Sequence, residues 1–280
     1  MNPAQPSWSQ IEETGTPEYF VAYLDAVTAQ SEMRRYKRKT YQLVGASPGA
    51  RLLDIGCGTG DDVRALADLV GAGGQVVGLD FSSAIVEEAR RRVGGTTMPI
   101  ELRVGDVHAL DLPDDGFDGC RADRVFMHLA DPARALAEMI RVTRPGGRIV
   151  VREPDWDTLA VDSPERDLTR RILQQHFDRV IRHGWSGRQL YRLFHQAGLG
   201  RVTVADTSTL ILTDFATANQ FYGLEAAAAL LQQSEPALAE RAAAWLAQLK
   251  QADAEGRFFS AVTGFTVAGE KAPAHQSRRW

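Results

Sequence analysis

Three glycines at alternate positions connect an apolar segment to a helical one near residue 55. Gly56, Gly58 and Gly60 follow Asp54 within the run D-I-G-C-G-T-G. Glycine reaches positive φ angles and has no Cβ, so such a turn lets the backbone approach a ligand closely. A dinucleotide-binding turn places its third glycine one position later, where a helix N-terminus faces pyrophosphate. The spacing here, with a carboxylate before the first glycine, favours a cationic ligand such as a sulfonium or an α-ammonium group.

Acidic residues also stand near the ends of the next two apolar segments. Asp80 ends a segment about 20 residues after the last glycine, where a carboxylate can accept hydrogen bonds from both hydroxyls of a ribose. Phe81 and Ile85 follow it and offer apolar surface to an adenine ring. Taken singly, Asp54 and Asp80 could cap a turn or a helix, and Asp106 could be a turn residue. Their order along successive strand ends favours one nucleoside site.

The D-I-G-C-G-T-G run resembles motif I of the class I S-adenosylmethionine-dependent methyltransferases. Over roughly residues 45–155 the chain resembles the ubiquinone/menaquinone-biosynthesis type of these enzymes and its natural-product relatives. The resemblance implies S-adenosylmethionine as cofactor, with Asp106 accepting from the adenine amine and the Val107 N–H donating to a ring nitrogen. The expected cofactor-binding residues are Asp54, Gly56, Cys57, Gly58, Gly60, Asp80, Phe81, Ile85, Asp106, Val107 and Asp123.

Alternating strand and helix patterns predict a parallel sheet covered on both faces. The predicted strands are 51–55, 75–80, 100–104, 117–122, 148–152, 201–212 and 256–268, the last two forming an antiparallel edge pair. A helix is predicted to begin at Asp131-Pro132 and to run through Thr143, since proline suits a first helical turn. The predicted fold is therefore α/β and Rossmann-like, a seven-stranded, mostly parallel sheet with helices on both faces and a helical cap.

We interpret residues 1–280 as a single domain with additions around its core. The predicted parts are an N-terminal helical lid at 1–48, a cofactor-binding core at 49–153, a helical substrate cap at 154–199 and 213–255, and edge strands at 200–212 and 256–270. A basic run at 34–39 is interpreted as a solvated helix face from which one arginine could reach the cofactor. The alternative for this run is an anion site.

Substrate is expected beyond the carboxyl ends of the fourth and fifth strands, because open α/β sheets bind ligands there. The residues predicted to contact substrate are Tyr19, Tyr23, Arg124, Trp156 and Trp185. Tyr19 and Tyr23 belong to an aromatic stripe at helical spacing, which is interpreted either as core packing or as a lid over the site. The two tryptophans could stack on an aromatic or cationic acceptor, or could pack within the protein.

A general base is needed only if the acceptor must lose a proton early, as a phenol or an activated carbon would. The candidate catalytic residues are His128, Glu153, Asp155 and His183. His128 has suitable chemistry near the fourth strand, but a histidine in this context is common in the family that the chain resembles, which favours a structural role.

Composition narrows the possible partners. The chain has 280 residues, a formal net charge of −4 and two cysteines. An acidic balance argues against a nucleic-acid partner, and the cysteines offer neither a disulfide framework nor a metal-ligand spacing. Cys57 is expected to be a small packing residue. With no apolar run long enough to span a bilayer and no secretion signal, we expect a cytoplasmic protein that does not bind membranes.

These observations predict transfer of a methyl group from S-adenosylmethionine to a small-molecule acceptor, in secondary metabolism or cofactor biosynthesis. Whether oxygen, nitrogen or carbon receives the methyl group is left open, and a homo-oligomer is a further expectation. Two alternatives are a non-catalytic S-adenosylmethionine-binding regulatory protein and a nicotinamide-dependent oxidoreductase, the second disfavoured by the glycine spacing.

Overall fold

The computed structural model describes residue 11, residues 17–95 and residues 97–273. Seven strands form one sheet in this part of the chain: β1 Arg51–Ile55, β2 Gln75–Asp80, β3 Ile100–Val104, β4 Phe117–Asp123, β5 Thr143–Val161, β6 Gly200–Leu212 and β7 Ser260–Glu270. Their order is β3-β2-β1-β4-β5-β7-β6. Neighbours among β1 to β5 are parallel, whereas β7 runs antiparallel to β5 and β6. The predicted mostly parallel, Rossmann-like sheet is confirmed.

Helices cover both faces of the sheet and one end of it. Their bounds are α1 Pro17–Ala29, α2 Ser31–Val44, α3 Asp61–Val70, α4 Ser83–Val93, α5 Pro132–Val142, α6 Arg166–Val180, α7 Ser186–Gln196, α8 Phe215–Tyr222, α9 Leu224–Ser234 and α10 Ala239–Ala254, with 3-10 turns at Phe126–His128 and Pro236–Leu238. Several begin at side-chain caps, as where Asp131 accepts from the backbone N–H of Arg134. None of the described helices is long and apolar enough to cross a membrane.

Alternation along the strands divides the apolar side chains between two layers. Leu52 of β1 packs with α2 and α3, while the next residue, Leu53, packs with α5 and α7 on the opposite face. Both side chains are fully buried. Burial on both faces explains why the central strands read as nearly continuous apolar runs.

A third apolar cluster forms the helical cap beyond one end of the sheet. It joins α6, α8, α9 and α10 around Trp245, and it also includes Val27 of α1 and Tyr36 of α2. The Trp245 side chain is fully buried, and its Nε1–H donates to Thr169 Oγ1 at 2.9 Å. The cap is therefore packed as a core of its own and is continuous with the N-terminal helices.

The fifth strand is longer than predicted. It was expected to end at Arg152, but it continues to Val161, which pairs with Ser260 of β7. Charged residues in this stretch indicated a loop after the strand. In the folded chain their charges have partners, since Asp155 is buried against Arg188. Residues 154–161 are thus strand rather than helical cap, and β7 begins at 260 instead of 256.

Candidate active site

The glycine turn lies between β1 and α3 and is attached to the end of β2. Gly56, Gly58 and Gly60 have φ angles of 66°, 52° and 85°. The backbone N–H groups of Gly56 and Cys57 both donate to the carbonyl oxygen of Leu79, at 2.7 and 3.1 Å. A Cβ on Gly56 would overlap the Cγ2 atom of Val125. Backbone conformation and space therefore both require glycine at this position.

A cavity of about 500 Å³ opens above this turn at the carboxyl ends of the strands. We call it the glycine-turn cavity. The predicted site residues that line it are Tyr23, Gly56, Cys57, Gly58, Asp80, Phe81, Asp106, Val107, Asp123, Arg124 and His128. Residues from five separate segments of the sequence thus converge on one cavity, as the sequence interpretation requires.

Asp80 is held at the edge of this cavity by the backbone. Its Oδ2 atom accepts from the Gly58 N–H and its Oδ1 atom from the Ser82 N–H, each at 3.1 Å. A carboxylate has about four lone-pair sites in all, so its chemistry suits hydroxyl donors as well as backbone N–H groups. The neighbouring Phe81 ring is 47% exposed. A fixed acceptor beside an exposed aromatic face suits the ribose and base of a nucleoside.

Asp106 faces the same cavity and is oriented by His108. Its Oδ1 atom accepts from the His108 backbone N–H at 2.9 Å and contacts the ring Nδ1 at 2.6 Å. Burial acts to raise the pKa of Asp106, but the hydrogen bonds from His108 lower it overall. The other ring nitrogen of His108 accepts from the Asp131 N–H. Sequence reasoning missed His108, although its position two residues after Asp106 was a usable signal.

Asp54 does not line the cavity, which corrects the expectation that it meets a cationic ligand. Its side chain is 1% exposed, and Oδ1 accepts from Arg121 at 2.6 Å. Burial raises the pKa of Asp54 to about 6, although Arg121 opposes the shift. The pair connects neighbouring strands, since Asp54 and Arg121 are in register between β1 and β4. Asp54 therefore supports the glycine turn from below.

Arg121 is the centre of a buried ionic network under the cavity. Besides Asp54, its guanidinium contacts Asp62 of α3 at 3.3 Å and Asp123 of β4 at 3.0 Å. Asp62 also accepts from Lys37 at 2.7 Å and from the Tyr41 hydroxyl. Lone buried charges are costly, whereas paired and hydrogen-bonded ones can be accommodated. The network therefore fixes α2 and α3 relative to the two central strands.

Lys37 is the member of the basic run at 34–39 that reaches the cavity. Burial would lower its pKa, but Asp62 raises it overall. Arg34 instead donates to the carbonyl oxygens of Thr28 and Ala29. The interpretation of the run as a solvated face holds for Arg35, which is exposed, and is wrong for Lys37. The residue of this run that reaches the cavity is thus a lysine, not the expected arginine.

Three other predicted residues lie behind the cavity or outside it. A Cβ on Gly60 would lie 3.3 Å from Ala89, so this glycine serves the packing of α4 against the turn. Ile85 is buried with Phe20 and does not present a face to the cavity. Tyr19 is partly exposed and packs edge-on against Phe20. These three placements correct the expected cofactor and substrate contacts.

Of the candidate bases, His128 alone lines the glycine-turn cavity. Burial, together with the smaller effect of the nearby Arg124 cation, lowers its pKa to about 3. Glu153 instead accepts from the backbone N–H groups of Val125 and Phe126, both at 2.7 Å. Burial raises the pKa of Glu153 to about 7, although these hydrogen bonds oppose the shift. Its role is to hold the 3-10 turn that carries His128.

The remaining candidates surround a different cavity of about 790 Å³, which we call the cap cavity. Its walls include His183, Trp156 and Trp185, and the last of these is 53% exposed. Trp156 stacks on Phe177 at 4.5 Å and its Nε1–H points to the Met127 sulfur at 3.3 Å. His183 contacts the Leu129 carbonyl oxygen at 3.0 Å, so Trp156 and His183 both lie against the outer side of the 3-10 turn that borders the glycine-turn cavity.

Asp155 is absent from the lining of both cavities as far as the described residues show. Its buried carboxylate is paired with Arg188 of α7. The residue therefore joins β5 to α7, and the structure offers no route from it to the glycine-turn cavity.

Comparison with known proteins decides what this arrangement represents. A family model described as a methyltransferase domain matches residues 46–198. The chain belongs to this methyltransferase family. It is 40% identical over 266 residues to an uncharacterized 37.1 kDa protein in transposon Tn4556 of Streptomyces fradiae, covering 94% of this chain and 74% of that one.

Relatives and structures of named function agree with this membership. A demethylmenaquinone methyltransferase of Renibacterium salmoninarum is 39% identical over 137 residues, which are 49% of this chain and 54% of that enzyme. The chain thus matches about half the length of that relative. A putative methyltransferase of Bacillus halodurans C-125 superposes with a TM-score of 0.60 at 16% identity, covering 84% of this chain and 98% of the other. The fold is shared well beyond the similarity in sequence.

As a class I methyltransferase, the chain uses S-adenosylmethionine, and the residues of the glycine-turn cavity fit this cofactor. Asp80 would accept from the ribose hydroxyls and Phe81 would contact the adenine ring. The Lys37–Asp62 pair offers both charges to an amino-acid end. When bound, the cofactor supplies a methyl group already activated on a sulfonium. Membership in this family decides against the nicotinamide-dependent alternative.

Proposed function

We propose that this methyltransferase acts on a small-molecule acceptor bound in the glycine-turn cavity. The observation that carries the proposal is the roof formed by α1. Leu24 lies over the glycine turn, with its Cδ1 atom 3.2 Å from the position that a Cβ on Gly58 would take. A large substrate could not insert a folded segment beneath this helix while the roof stays in place.

Contacts from the middle of α1 hold this helix over the cavity. Arg92 of α4 donates two hydrogen bonds to the Asp25 carboxylate, at 2.6 and 3.0 Å. On the cap side, the Tyr23 ring lies 5.7 Å from the Phe221 ring of α8. The cavity volume of about 500 Å³ is in the range of small-ligand sites, roughly 300–1,000 Å³. Its volume is therefore on the scale of a cofactor with a small acceptor.

The residues that follow β4, together with Tyr23 of α1, place the acceptor. We define the acceptor region as Tyr23, Arg124, Met127 and His128, all of which line the cavity. Tyr23 and Met127 provide apolar surface, while Arg124 provides a positive charge. Aromatic and thioether side chains contact flat apolar groups favourably. The region therefore suits a molecule with an apolar body and a polar reacting end.

A role in secondary metabolism or cofactor biosynthesis is part of the proposal. Curated relatives are named for methylation of demethylmenaquinone, and another from Geobacter sulfurreducens for ubiquinone/menaquinone biosynthesis. Those names describe the relatives' own acceptors. They support a small organic acceptor for this chain and leave open which atom receives the methyl group.

The proposal is tested by following formation of the demethylated cofactor, S-adenosylhomocysteine. The full chain is incubated with S-adenosylmethionine and, in parallel, with phenols, catechols, carboxylic acids, amines, 1,3-dicarbonyl compounds, bulk protein and bulk RNA. Turnover with a small molecule, lost in an Asp80→Ala variant, supports the proposal. Methylation confined to protein or RNA would contradict it.

A further inference from the structure

Arg124 is held in an unusual position at the end of β4. Its φ angle is +58°, a region that residues other than glycine rarely adopt. The backbone N–H of Arg124 donates to the carbonyl oxygen of Arg152 at 2.9 Å, which helps to maintain this conformation. Unfavourable backbone angles cluster at functional sites, where surrounding structure maintains them. Here the angle places the guanidinium at the wall of the glycine-turn cavity.

The Arg124 guanidinium lacks a close counter-ion within the described chain. Its side chain is 12% exposed, and its buried Nε atom has no hydrogen-bond partner among the described residues. The closest carboxylate oxygen, Asp123 Oδ1, is 3.9 Å away. Asp123 already accepts from Arg121 at 3.0 Å and from the Tyr36 hydroxyl at 3.2 Å. A buried cation left this incompletely paired can bind an anion that enters the cavity.

The candidate base in the cavity, His128, is poorly suited to remove a proton from the acceptor. The titratable groups that line the cavity besides Arg124 are Tyr23, Lys37, Cys57, Asp61, Asp62, Asp80, Asp106, His108, Asp123 and His128. Both ring nitrogens of His108 are engaged, as described above. Asp62 and Asp106 have pKa values below the ordinary range, because hydrogen bonds and nearby cations outweigh the effect of burial. His128, with a pKa of about 3, is too weak a base to deprotonate a phenol.

We propose that the methyl acceptor is a small organic oxyanion whose charged oxygen pairs with Arg124, and that it enters the cavity already deprotonated. Carboxylates, acidic phenolates and the enolates of 1,3-dicarbonyl compounds belong to this class. The inference rests on the proposed function, because it names the acceptor class for the same cavity. Arg124 is then the residue that selects the acceptor, and Tyr23, whose ring lies 5.9 Å from the guanidinium carbon, covers it.

The reaction balances without a base. The acceptor anion uses one electron pair to form a bond to the methyl carbon, and the carbon–sulfur bond breaks with its pair remaining on sulfur. The negative charge of the acceptor and the positive charge of the sulfonium are both lost, and no proton leaves. The reaction therefore requires no base, which agrees with the low pKa of His128.

The test measures anion binding to protein saturated with S-adenosylhomocysteine. Benzoate, 4-nitrophenolate and the acetylacetone enolate are titrated calorimetrically, each beside a neutral counterpart: benzamide, 4-nitroanisole and acetone. At least one anion is expected to bind more tightly than its counterpart. Arg124→Gln should weaken that binding about tenfold or more, as loss of a charge-assisted hydrogen bond does. Arg124→Lys should retain part of it, and Arg179→Gln, an exposed arginine of α6 outside the lining, should retain all of it.

Each other outcome identifies what fails. If no anion binds more tightly than its neutral counterpart, the oxyanion proposal is wrong. If Arg124→Gln weakens S-adenosylhomocysteine binding to the same extent, Arg124 holds the carboxylate of the cofactor, and the oxyanion proposal is also wrong. Neither result contradicts the proposal of small-molecule methylation. That proposal is contradicted separately, if the methyl group is transferred only to protein or RNA.

A pH series with active acceptors gives a second readout. The midpoint of kcat/KM against pH should follow the pKa of each acceptor when acceptors of different acidity are compared. A midpoint that stays fixed across acceptors would show that a group of the protein removes the proton, which would overturn the proposal.

Discussion

The glycine-turn cavity and the cap cavity differ in size and in what surrounds them. The cap cavity, at about 790 Å³, is larger than the glycine-turn cavity, at about 500 Å³. The smaller one lies at the carboxyl ends of parallel strands, above a buried ionic network and beneath a helix. The larger one is bordered by exposed charged side chains of α6, such as Arg166 and Arg170. Cavity volume therefore does not identify the active site, whereas oriented polar groups at the strand ends do.

The cap cavity is nevertheless in contact with the 3-10 turn that carries His128. Trp156 and His183, on its wall, contact Met127 and Leu129 in and beside the 3-10 turn. Glu153 holds the same turn from within the sheet. The partition between the cavities is therefore a rigid element with contacts on both sides. Substitutions in each region can show whether cofactor binding depends on the glycine-turn cavity and not on the cap cavity.

The largest effect is expected at the glycine turn. Gly56→Ala places a Cβ onto the Val125 side chain at a φ of 66°, so S-adenosylhomocysteine binding should weaken by about 100-fold or more, roughly 3 kcal/mol. The control is Gly198→Ala, whose φ is 75° but whose Cβ would meet nothing within 4 Å. Calorimetry gives both affinities, and a thermal melt shows that each variant is folded. Equal affinities in the two variants would contradict this assignment of the turn.

A second prediction concerns the partition and pH. The pKa of buried Glu153, about 7, lies above its ordinary value of 4.5, so the folded state binds this proton more tightly than the unfolded state. Its stabilising contribution is therefore complete below pH 4.5 and is lost as the pH rises through 7. Compared with Glu153→Gln, the native protein should lose about 3 kcal/mol of unfolding free energy over this window.

Denaturant titrations at several pH values measure this difference. Glu240→Gln, at an exposed position of α10, serves as the control and should follow the native protein throughout. A gap between Glu153→Gln and the native protein that stays constant with pH would show that Glu153 is ionised in both states.

A third, smaller effect is expected at Asp80. Asp80→Asn replaces one carboxylate oxygen with an amide donor, so the ribose hydroxyls lose part of their acceptor. S-adenosylhomocysteine affinity should fall by about 10-fold, in line with roughly 1–3 kcal/mol for such a bond. Asp178→Asn, on the wall of the cap cavity, is the matched change in the other region. If both substitutions weaken binding equally, the distinction between the two cavities is lost.

The smallest effect is predicted for the rim of the cap cavity. Arg170→Ala removes an exposed charge, so unfolding free energy should change by less than about 0.5 kcal/mol. Cofactor affinity should stay within about twofold, because that difference corresponds to less than 0.5 kcal/mol. Calorimetry and denaturant titration measure the two quantities. A large loss of cofactor affinity would show that the cap cavity takes part in cofactor binding.

The sequence predicted those parts of the site that lie in local patterns. Asp80 and Asp106 follow apolar strand segments, so their position at one edge of the sheet could be inferred from strand periodicity. The spacing of the three glycines was similarly local. Together with the family resemblance, these signals identified a set of cofactor-binding residues most of which line the cavity.

Pairings between distant segments were not readable from the sequence. Asp54 pairs with Arg121 because β1 and β4 are neighbours, and the chain gives no local sign of that charge pair. Lys37 looked like part of a solvated basic run until α2 was packed against Asp62. The extension of β5 was hidden by buried charges such as Asp155, whose partner lies 33 residues away. In each case a contact with a distant segment determines the role of a polar residue.

A crystal structure of the protein with S-adenosylhomocysteine would locate the nucleoside. We expect density in the glycine-turn cavity, with the ribose hydroxyls at the Asp80 carboxylate, the base against Phe81 and the amino-acid end near Lys37 and Asp62. Density for the nucleoside in the cap cavity, beside Trp156, would contradict this assignment of the cofactor site.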